Sequence, residues 1–330
     1  MEESFNRITK RTQMPLFKVA AGLWLSSKTG LVEKSIFEYR QRLKPVVAEF
    51  GGKLVSDITL QDLSEYQATR AAAGLSARTI NYEVGCIRGV LKQHGQWAVL
   101  ADRVRSLRER HDVGRAISTE DEQRLLAACQ KSRTPTLLPL FVLSIDTGLR
   151  SSEVKALRRK DLTLEWKDGS IQSGQLMVPR SKTEAGTGRT VPLSNRVCAV
   201  LTQWIAHFAE ASPESYLFPY HRIGLSGNKR ATAIYDVQLG SKMGEWKSAW
   251  KTAGNTADVD YRWHDLRHTF ISRLAENPNV SEGTIRALAG HVSRQMLQRY
   301  SHIRTEAKEQ AIAALERVRS EDSLANSKPN

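Results

Sequence analysis

The sequence predicts a mainly α-helical chain with one small antiparallel β-sheet, divided into an N-terminal helical bundle and a larger α+β domain. Three observations carry that expectation. Apolar residues recur at helical spacing along most of the chain, and the period changes to an extended one only between Leu162 and Leu193. A stretch dense in charge and poor in large apolar groups, Arg103 to Arg115, separates four amphipathic segments from the rest and reads as an exposed linker. At 330 residues the chain is long enough for two cores. The boundary is placed near Asp112, giving domains at 1–112 and 113–319 and a polar tail at 320–330 expected to be disordered.

The first helical pattern is Leu16, Val19, Ala20, Leu23 and Trp24, and the second is Ile36, Tyr39, Leu43, Val46 and Val47, ended near Gly51-Gly52. Ser56-Asp57-Ile58-Thr59 opens a third helix with Leu60, Leu63 and Tyr66 inward. Ser76 caps a fourth with Ile80, Val84, Ile87 and Leu91 inward. Short links between amphipathic helices imply a small bundle.

The second domain opens on Ser118-Thr119-Glu120-Asp121, with Ser and Asp spaced as a capping box before Leu125 and Leu126. A helix over Pro135–Thr147 ends on Gly148, and Ser151 caps the next, which puts Glu153 in a first turn where an acid complements the helix dipole. Leu162–Trp166, Gly174–Val178 and Arg189–Leu193 read as three short strands, with Lys182 in the loop between the last two. Ser194 begins a helix through Val197, Leu201 and Ile205. Tyr220–Arg230, basic and glycine-containing, reads as a loop able to meet phosphates or equally as a disordered stretch. Met243, Trp246, Lys247 and Trp250 mark a further helix.

The stretch Trp263–Tyr300 carries the most chemistry. Leu266, Phe270, Ile271 and Leu274 make its first part helical up to Asn277-Pro278, so His264 and Arg267 share a face. Ser281 caps a second helix with Ile285, Leu288 and Ala289, ended by Gly290, and His291 follows in the turn. Ser293 caps a third, short helix over Met296 and Leu297 with Tyr300 at its end. A last amphipathic helix is read over Thr305–Arg319. Two imidazoles, a guanidinium and a phenol brought together suit phosphoryl transfer, which needs charge neutralised on non-bridging oxygens and protons moved between oxygens. A tyrosine hydroxyl can be the covalent nucleophile. Each residue alone has an ordinary structural reading, and it is the pattern H-x-x-R, G-H, then Tyr that is specific.

Composition limits the partners. A net charge of +14 points to a polyanion, nucleic acid before an anionic membrane surface. No apolar run reaches membrane-spanning length and the N-terminus lacks a signal-peptide core, so a cytoplasmic, nucleoid-associated protein is expected. Cys86, Cys129 and Cys198 are widely spaced and read as buried free thiols rather than a disulfide framework or zinc site.

The H-x-x-R, G-H and Tyr pattern resembles the tyrosine recombinase (phage integrase) family. Thr147-Gly148-Leu149-Arg150-Ser151-Ser152-Glu153 resembles its first arginine box, and Ser181-Lys182-Thr183 its β-hairpin lysine. The match runs from about Ser118 to Ala314, with a weaker likeness of the preceding bundle to the family's SAM-like core-binding domain. The resemblance implies a site-specific DNA recombinase working through a 3′-phosphotyrosyl intermediate. Tyr300 would be the nucleophile, Arg150 and Arg267 would hold the phosphate, and Lys182 would protonate the leaving 5′-oxygen. His264 would assist proton transfer, His291 would support the phosphate, and Glu153 would orient Arg150 or His264.

Arg70, Arg78, Arg88, Lys92, Arg180, Lys229 and Arg230 are candidate DNA contacts, and Arg180 and Arg189 compete with Lys182 for its role. The two domains are expected to close around a duplex, and the implied assembly is a homo-tetramer on two synapsed double-stranded DNA sites. Without DNA a monomer or weak oligomer is expected. DNA-bending accessory proteins are candidate partners, and the C-terminal helix is expected to dock on a neighbouring protomer. No cofactor or metal is expected, since the covalent intermediate conserves the phosphodiester bond energy and no P-loop is present. The alternatives are a type IB topoisomerase-like DNA-relaxing enzyme and a non-catalytic DNA-binding regulator. A zinc hydrolase is a weak rival: His264-Asp265-Leu266-Arg267-His268 loosely follows H-E-x-x-H, but an arginine in that turn would repel a dication. His268 and His302 read as structural.

Overall fold

The computed structural model describes residues 14–109, 114–181, 186–225 and 232–292. The chain divides into two compact units, Met1–Asp112 and Val113–Asn330.

The first unit is built on α1 (Phe17–Ser26), α2 (Glu33–Phe50), α3 (Leu60–Ala72) and α4 (Ala77–Gln93). Phe17, Trp24, Leu43, Phe50, Leu63, Ile80, Ile87 and Leu91 form its core. Local chemistry fixes the helix starts. Thr59 and Asp62 exchange bonds in a full capping box (Asp62 N–H to Thr59 Oγ1 3.2 Å, Thr59 N–H to Asp62 Oδ2 2.9 Å), and Ser76 Oγ accepts from Thr79 N–H at 3.2 Å.

The inward stripe of α1 differs from the sequence reading. Phe17, Ala20, Ala21 and Trp24 face the core, whereas Val19 and Leu23 are 49% and 57% exposed. Two overlapping stripes satisfy helical spacing here, and the bulk of Phe17 and Trp24 decides between them. Gly89 on α4 makes room, since a Cβ there would stand 2.4 Å from the Trp24 ring. The expected linker is also less free than its composition suggests. Asn81 donates to the Leu107 carbonyl and accepts from its N–H (2.9 and 2.8 Å), tying that stretch to α4.

In the second unit, α6 (Leu137–Thr147) is the central rod, buried along nearly its whole length. Around it pack α5 (Thr119–Gln130), α8 (Asn195–Ala206) and α10 (Trp263–Glu276), with α7 (Ser151–Ala156) following it directly. Ser118 and Ser194 cap α5 and α8 by accepting from Asp121 and Val197 N–H. The strands β1 (Leu162–Lys167), β2 (Ser170–Met177) and β3 (Thr190–Pro192) form the antiparallel sheet in the order β1-β2-β3, with Leu176 opposite Val191. Leu176, Val178 and Val191 turn into the core, the alternation expected of a half-buried sheet.

Of the stretch read as a loop at Tyr220–Arg230, residues 220–225 are strand, part of a second, two-stranded sheet, and 226–230 lie outside the described residues. In that sheet β4 (Pro219–Leu225) pairs antiparallel with β5 (Thr232–Lys242). Ile223 lies opposite Ile234 and Arg222 opposite Tyr235, so cross-strand partners supply what the glycine and basic content hid. Register shifts near Tyr220, together with Asp236 at φ 51°, blur the alternation that would have marked the strands. Helix α9 (Lys247–Thr256) begins four residues later than Met243, and α11 (Glu282–Ala289) follows α10. All three cysteines are buried free thiols, and burial pushes Cys86 up to about 11 and Cys129 up to about 12. No described helix is long and apolar enough to cross a membrane.

Candidate active site

The site is assembled where two turns, at Gly148 and Gly290, meet. Gly148, at φ 63°, ends α6 in the left-handed region, and a Cβ on it would stand 2.4 Å from the Phe270 ring of α10. That close approach lets the Gly148 carbonyl accept from Arg267 Nη1 at 2.7 Å. The same guanidinium donates through Nη2 to the carbonyls of Ala289 (2.6 Å), the last residue of α11, and His291 (3.1 Å), just beyond it. Gly290 makes the turn between them at φ 72°, ψ −139°, a conformation that suits glycine. Arg267 is thus a buried clasp joining the ends of α6 and α11.

Arg150, the residue before α7, donates through Nη2 to the same His291 carbonyl at 3.3 Å. One oxygen therefore brings Arg150 and Arg267 to adjoining positions. The imidazole of His291 is exposed; its backbone is what holds the two guanidiniums.

Beneath them Glu153 is 0% exposed and accepts five bonds. The donors are Arg150 N–H (2.9 Å) and Nη1 (2.8 Å), Ser181 Oγ (2.6 Å), and Arg189 Nη2 (2.7 Å) and Nη1 (3.3 Å). Burial works to raise the Glu153 carboxyl, but Arg189, Ser181 and the Arg150 amide outweigh it and hold it at about 2. The acid expected to orient Arg150 or His264 is the counter-ion of the site: it bonds to Arg150, and among the described residues no bond to His264 accompanies it.

Among the described residues the hydrogen-bond partners of Arg267 are neutral carbonyls. Burial, reinforced by the charge of Arg150, draws it down to about 9, which leaves it charged at neutral pH. Three guanidiniums gathered around one carboxylate leave a surplus of two positive charges, an arrangement suited to a doubly contacted anion such as a phosphodiester.

His264 lies on α10 one turn before Arg267. Its ring has an open side, but the crowding of its inner edge, then the neighbouring His268, Arg267 and Arg150, push its pKa down to about 4. It is a neutral imidazole at physiological pH, able to accept a proton. His268 meets it edge to face (centroids 5.0 Å, 89° between planes). Asp265, the acid of the H-x-x-x-H stretch, accepts from Arg262 N–H at 2.8 Å and from its guanidinium at 3.0 Å. Among the described residues no group of three or more His, Cys, Asp or Glu gathers as metal ligands.

A model of the phage integrase family matches residues 115–307, more than half of the chain. The chain belongs to the phage integrase family. Over 187 residues it is 29% identical to the shufflon-specific DNA recombinase of Escherichia coli, covering 56% of this chain and 40% of that protein, so it spans less than half of that relative's length. Its fold is shared with the Tn1549 transposon integrase (residues 82–397) in complex with circular intermediate DNA, at a TM-score of 0.63 and 18% identity over 86% of this chain and 94% of that one. It is also shared with a lambda integrase tetramer bound to a Holliday junction, at a TM-score of 0.59 and 14% identity over 90% and 80% of the two chains.

In this integrase-family chain the structure brings together Arg150, Glu153, His264, Arg267 and the His291 backbone. Lys182, Tyr300, Lys229, Arg230 and His302 lie outside the described residues, as does the expected C-terminal helix. Of the remaining DNA-contact candidates, Arg78, Arg88, Lys92 and Arg180 are exposed. Arg78 donates to the Tyr82 hydroxyl (3.1 Å), and the ring also stacks under Arg42, 4.4 Å from its centroid. Arg70 is engaged otherwise: it pairs bidentately with buried Glu83 (2.7 and 2.9 Å), which also accepts from Tyr66.

Sequence reasoning assigned Ser181 no role of its own and offered Arg189 only as a competitor of Lys182, not as the partner of Glu153. A signal for Arg189 existed. It stands two residues before inward-facing Val191 on a predicted strand, which puts a charge on the buried face.

Proposed function

We propose that the protein is a metal-independent, site-specific DNA recombinase that cuts and rejoins strands through a 3′-phosphotyrosyl intermediate. The observation that carries the reading is the pair of guanidiniums, Arg150 and Arg267, held on one carbonyl with surplus positive charge. Planar forks of this kind bind the two non-bridging oxygens of a phosphodiester and stabilise charge as it develops.

In the reaction, the Tyr300 phenol oxygen attacks phosphorus and its proton leaves toward neutral His264. The bond to the 5′-oxygen breaks, Lys182 protonates that oxygen, and a free 5′-hydroxyl departs. A 5′-hydroxyl from a partner strand then attacks the phosphotyrosine, and the same groups act in reverse. Two arginines supply the charge that a metal ion would otherwise bring.

The substrate is double-stranded DNA at two sites, and the working assembly is a homo-tetramer. This draws support from the family, the net charge of +14 and the shared fold of the lambda integrase tetramer bound to a Holliday junction. The four-helix unit is assigned to DNA recognition through Arg78, Arg88 and Lys92, and the second unit to catalysis. The place of action is the cytoplasmic nucleoid.

The test uses a duplex site nicked so that the cleaved strand loses its 5′-hydroxyl and the enzyme stays attached. The wild-type protein forms an adduct on a denaturing gel with EDTA present, and Tyr300→Phe forms none while binding DNA within a few-fold of wild type. An adduct in Tyr300→Phe removes that residue from the role, and a zinc-restored loss of activity in EDTA contradicts metal independence.

A further inference from the structure

Arg189 is the buried cation that the mechanism leaves idle. Its Nε donates to the Leu288 carbonyl in the last turn of α11 (2.9 Å), Nη1 to the Gly186 carbonyl (2.6 Å), and Nη2 to Glu153 (2.7 Å). One planar group thus reaches three segments of the site. They are the turn leading to His291, Gly186 on the C-terminal side of the segment that contains Lys182, and the acid under Arg150. The N-terminal side of that segment is held by the same acid, since Ser181 donates to Glu153 (2.6 Å) and accepts from Arg150 Nη1 (3.2 Å). A Cβ on Gly186 would stand 2.4 Å from Ser181 Oγ, so Ser181 and Gly186 lie close together.

We infer that Arg189 is a positioning residue for strand cleavage: it neutralises the Glu153 carboxylate so that the charge of Arg150 remains available to the phosphate. The inference rests on the recombinase reading above. With Arg189 present, Arg150, Glu153 and Arg189 together carry one net positive charge, and Arg267 adds a second. Without it, Glu153 would cancel Arg150, and the phosphate would face the charge of Arg267 alone. Buried and paired with Glu153, Arg189 acts through its neighbours, and the role of free proton donor stays with Lys182. A lysine could restore the charge but not the three-way fork.

A second lesion is expected to repair the first. In Arg189→Met, adduct formation on the nicked site slows about 100-fold, the scale of one lost electrostatic donor, while DNA affinity stays within about threefold because many cations share it. Adding Glu153→Gln removes the charge that captures Arg150, and the double variant recovers at least about tenfold over Arg189→Met. A merely structural arginine gives the opposite order, since the second change removes further bonds. Arg189→Lys keeps the charge and retains cleavage within about tenfold, so it decides the matter should Arg189→Met not fold.

Wild-type adduct formation is the reference: its absence would count against the recombinase reading itself. With the wild type active, the inference is overturned by Arg189→Met cleaving at the wild-type rate, by a double variant no faster than Arg189→Met, or by a folded Arg189→Lys that is as slow as Arg150→Ala.

Discussion

Replacing Glu153 by Gln removes one charge from a group that is 0% exposed and puts an amide NH2 group where one of its two accepting oxygens stood. The magnitude follows from the carboxyl itself. Its pKa is held at about 2 against an ordinary 4.5. A difference of that size is worth about 3 kcal/mol of folding stability at neutral pH. Breaking a buried ion pair from one side costs a similar ~3–5 kcal/mol.

The sign is fixed by linkage. A carboxyl depressed in the folded state contributes its full stability above its unfolded pKa and loses it as pH falls through the folded one. The contribution is complete above about pH 5, and about 2 kcal/mol of it is gone by pH 3. Urea unfolding of the full chain, followed by tryptophan fluorescence at pH 7 and pH 3, measures this. Glu153→Gln is expected to be about 3 kcal/mol less stable at pH 7, with the gap to wild type narrowing by more than half at pH 3. A difference below about 1 kcal/mol at pH 7, or one that does not change with pH, would refute the reasoning that this carboxylate is the counter-ion of two arginines.

Two further outcomes are expected. Lys182→Ala slows cleavage by about two to four orders of magnitude, and a 5′-bridging phosphorothiolate, whose leaving group needs no proton, restores most of the rate. Rescue of Arg180→Ala instead would move the acid to Arg180. For His264, a pKa near 4 means that the neutral, proton-accepting form persists to low pH, so single-turnover cleavage at saturating DNA stays level from pH 8 to about pH 5.5. An acid limb with its midpoint near the ordinary 6.5 that disappears in His264→Gln would contradict that assignment.

The fold was legible wherever periodicity and punctuation agreed. The caps at Ser76, Ser118, Ser194 and Ser281 and the turn glycines Gly148 and Gly290 all stand where the pattern put them, because their conformations depend on a few adjacent residues. The β4–β5 hairpin was not legible, since its strands are defined by each other and shifted in register near Tyr220. The α1 stripe was ambiguous because spacing alone does not tell which of two neighbouring faces finds a glycine opposite. For the candidate site, residue types and order pointed to Arg150, His264 and Arg267, which the structure brings together around Glu153 and the His291 carbonyl. The sequence could not show that His291 would serve through its backbone. Nor could it show that Arg70 would be taken by Glu83, since each is a long-range pairing between groups whose ordinary place is the surface.

The central claim is that Tyr300 becomes covalently joined to a DNA 3′-phosphate. The most direct measurement traps the wild-type protein on a nicked site, digests DNA and protein, and identifies the modified peptide by mass spectrometry. The account predicts a single nucleotide-bearing peptide with the phosphate on Tyr300 and a free 5′-hydroxyl on the released strand. A phosphate on any other side chain, or a 5′-linked adduct, would contradict it.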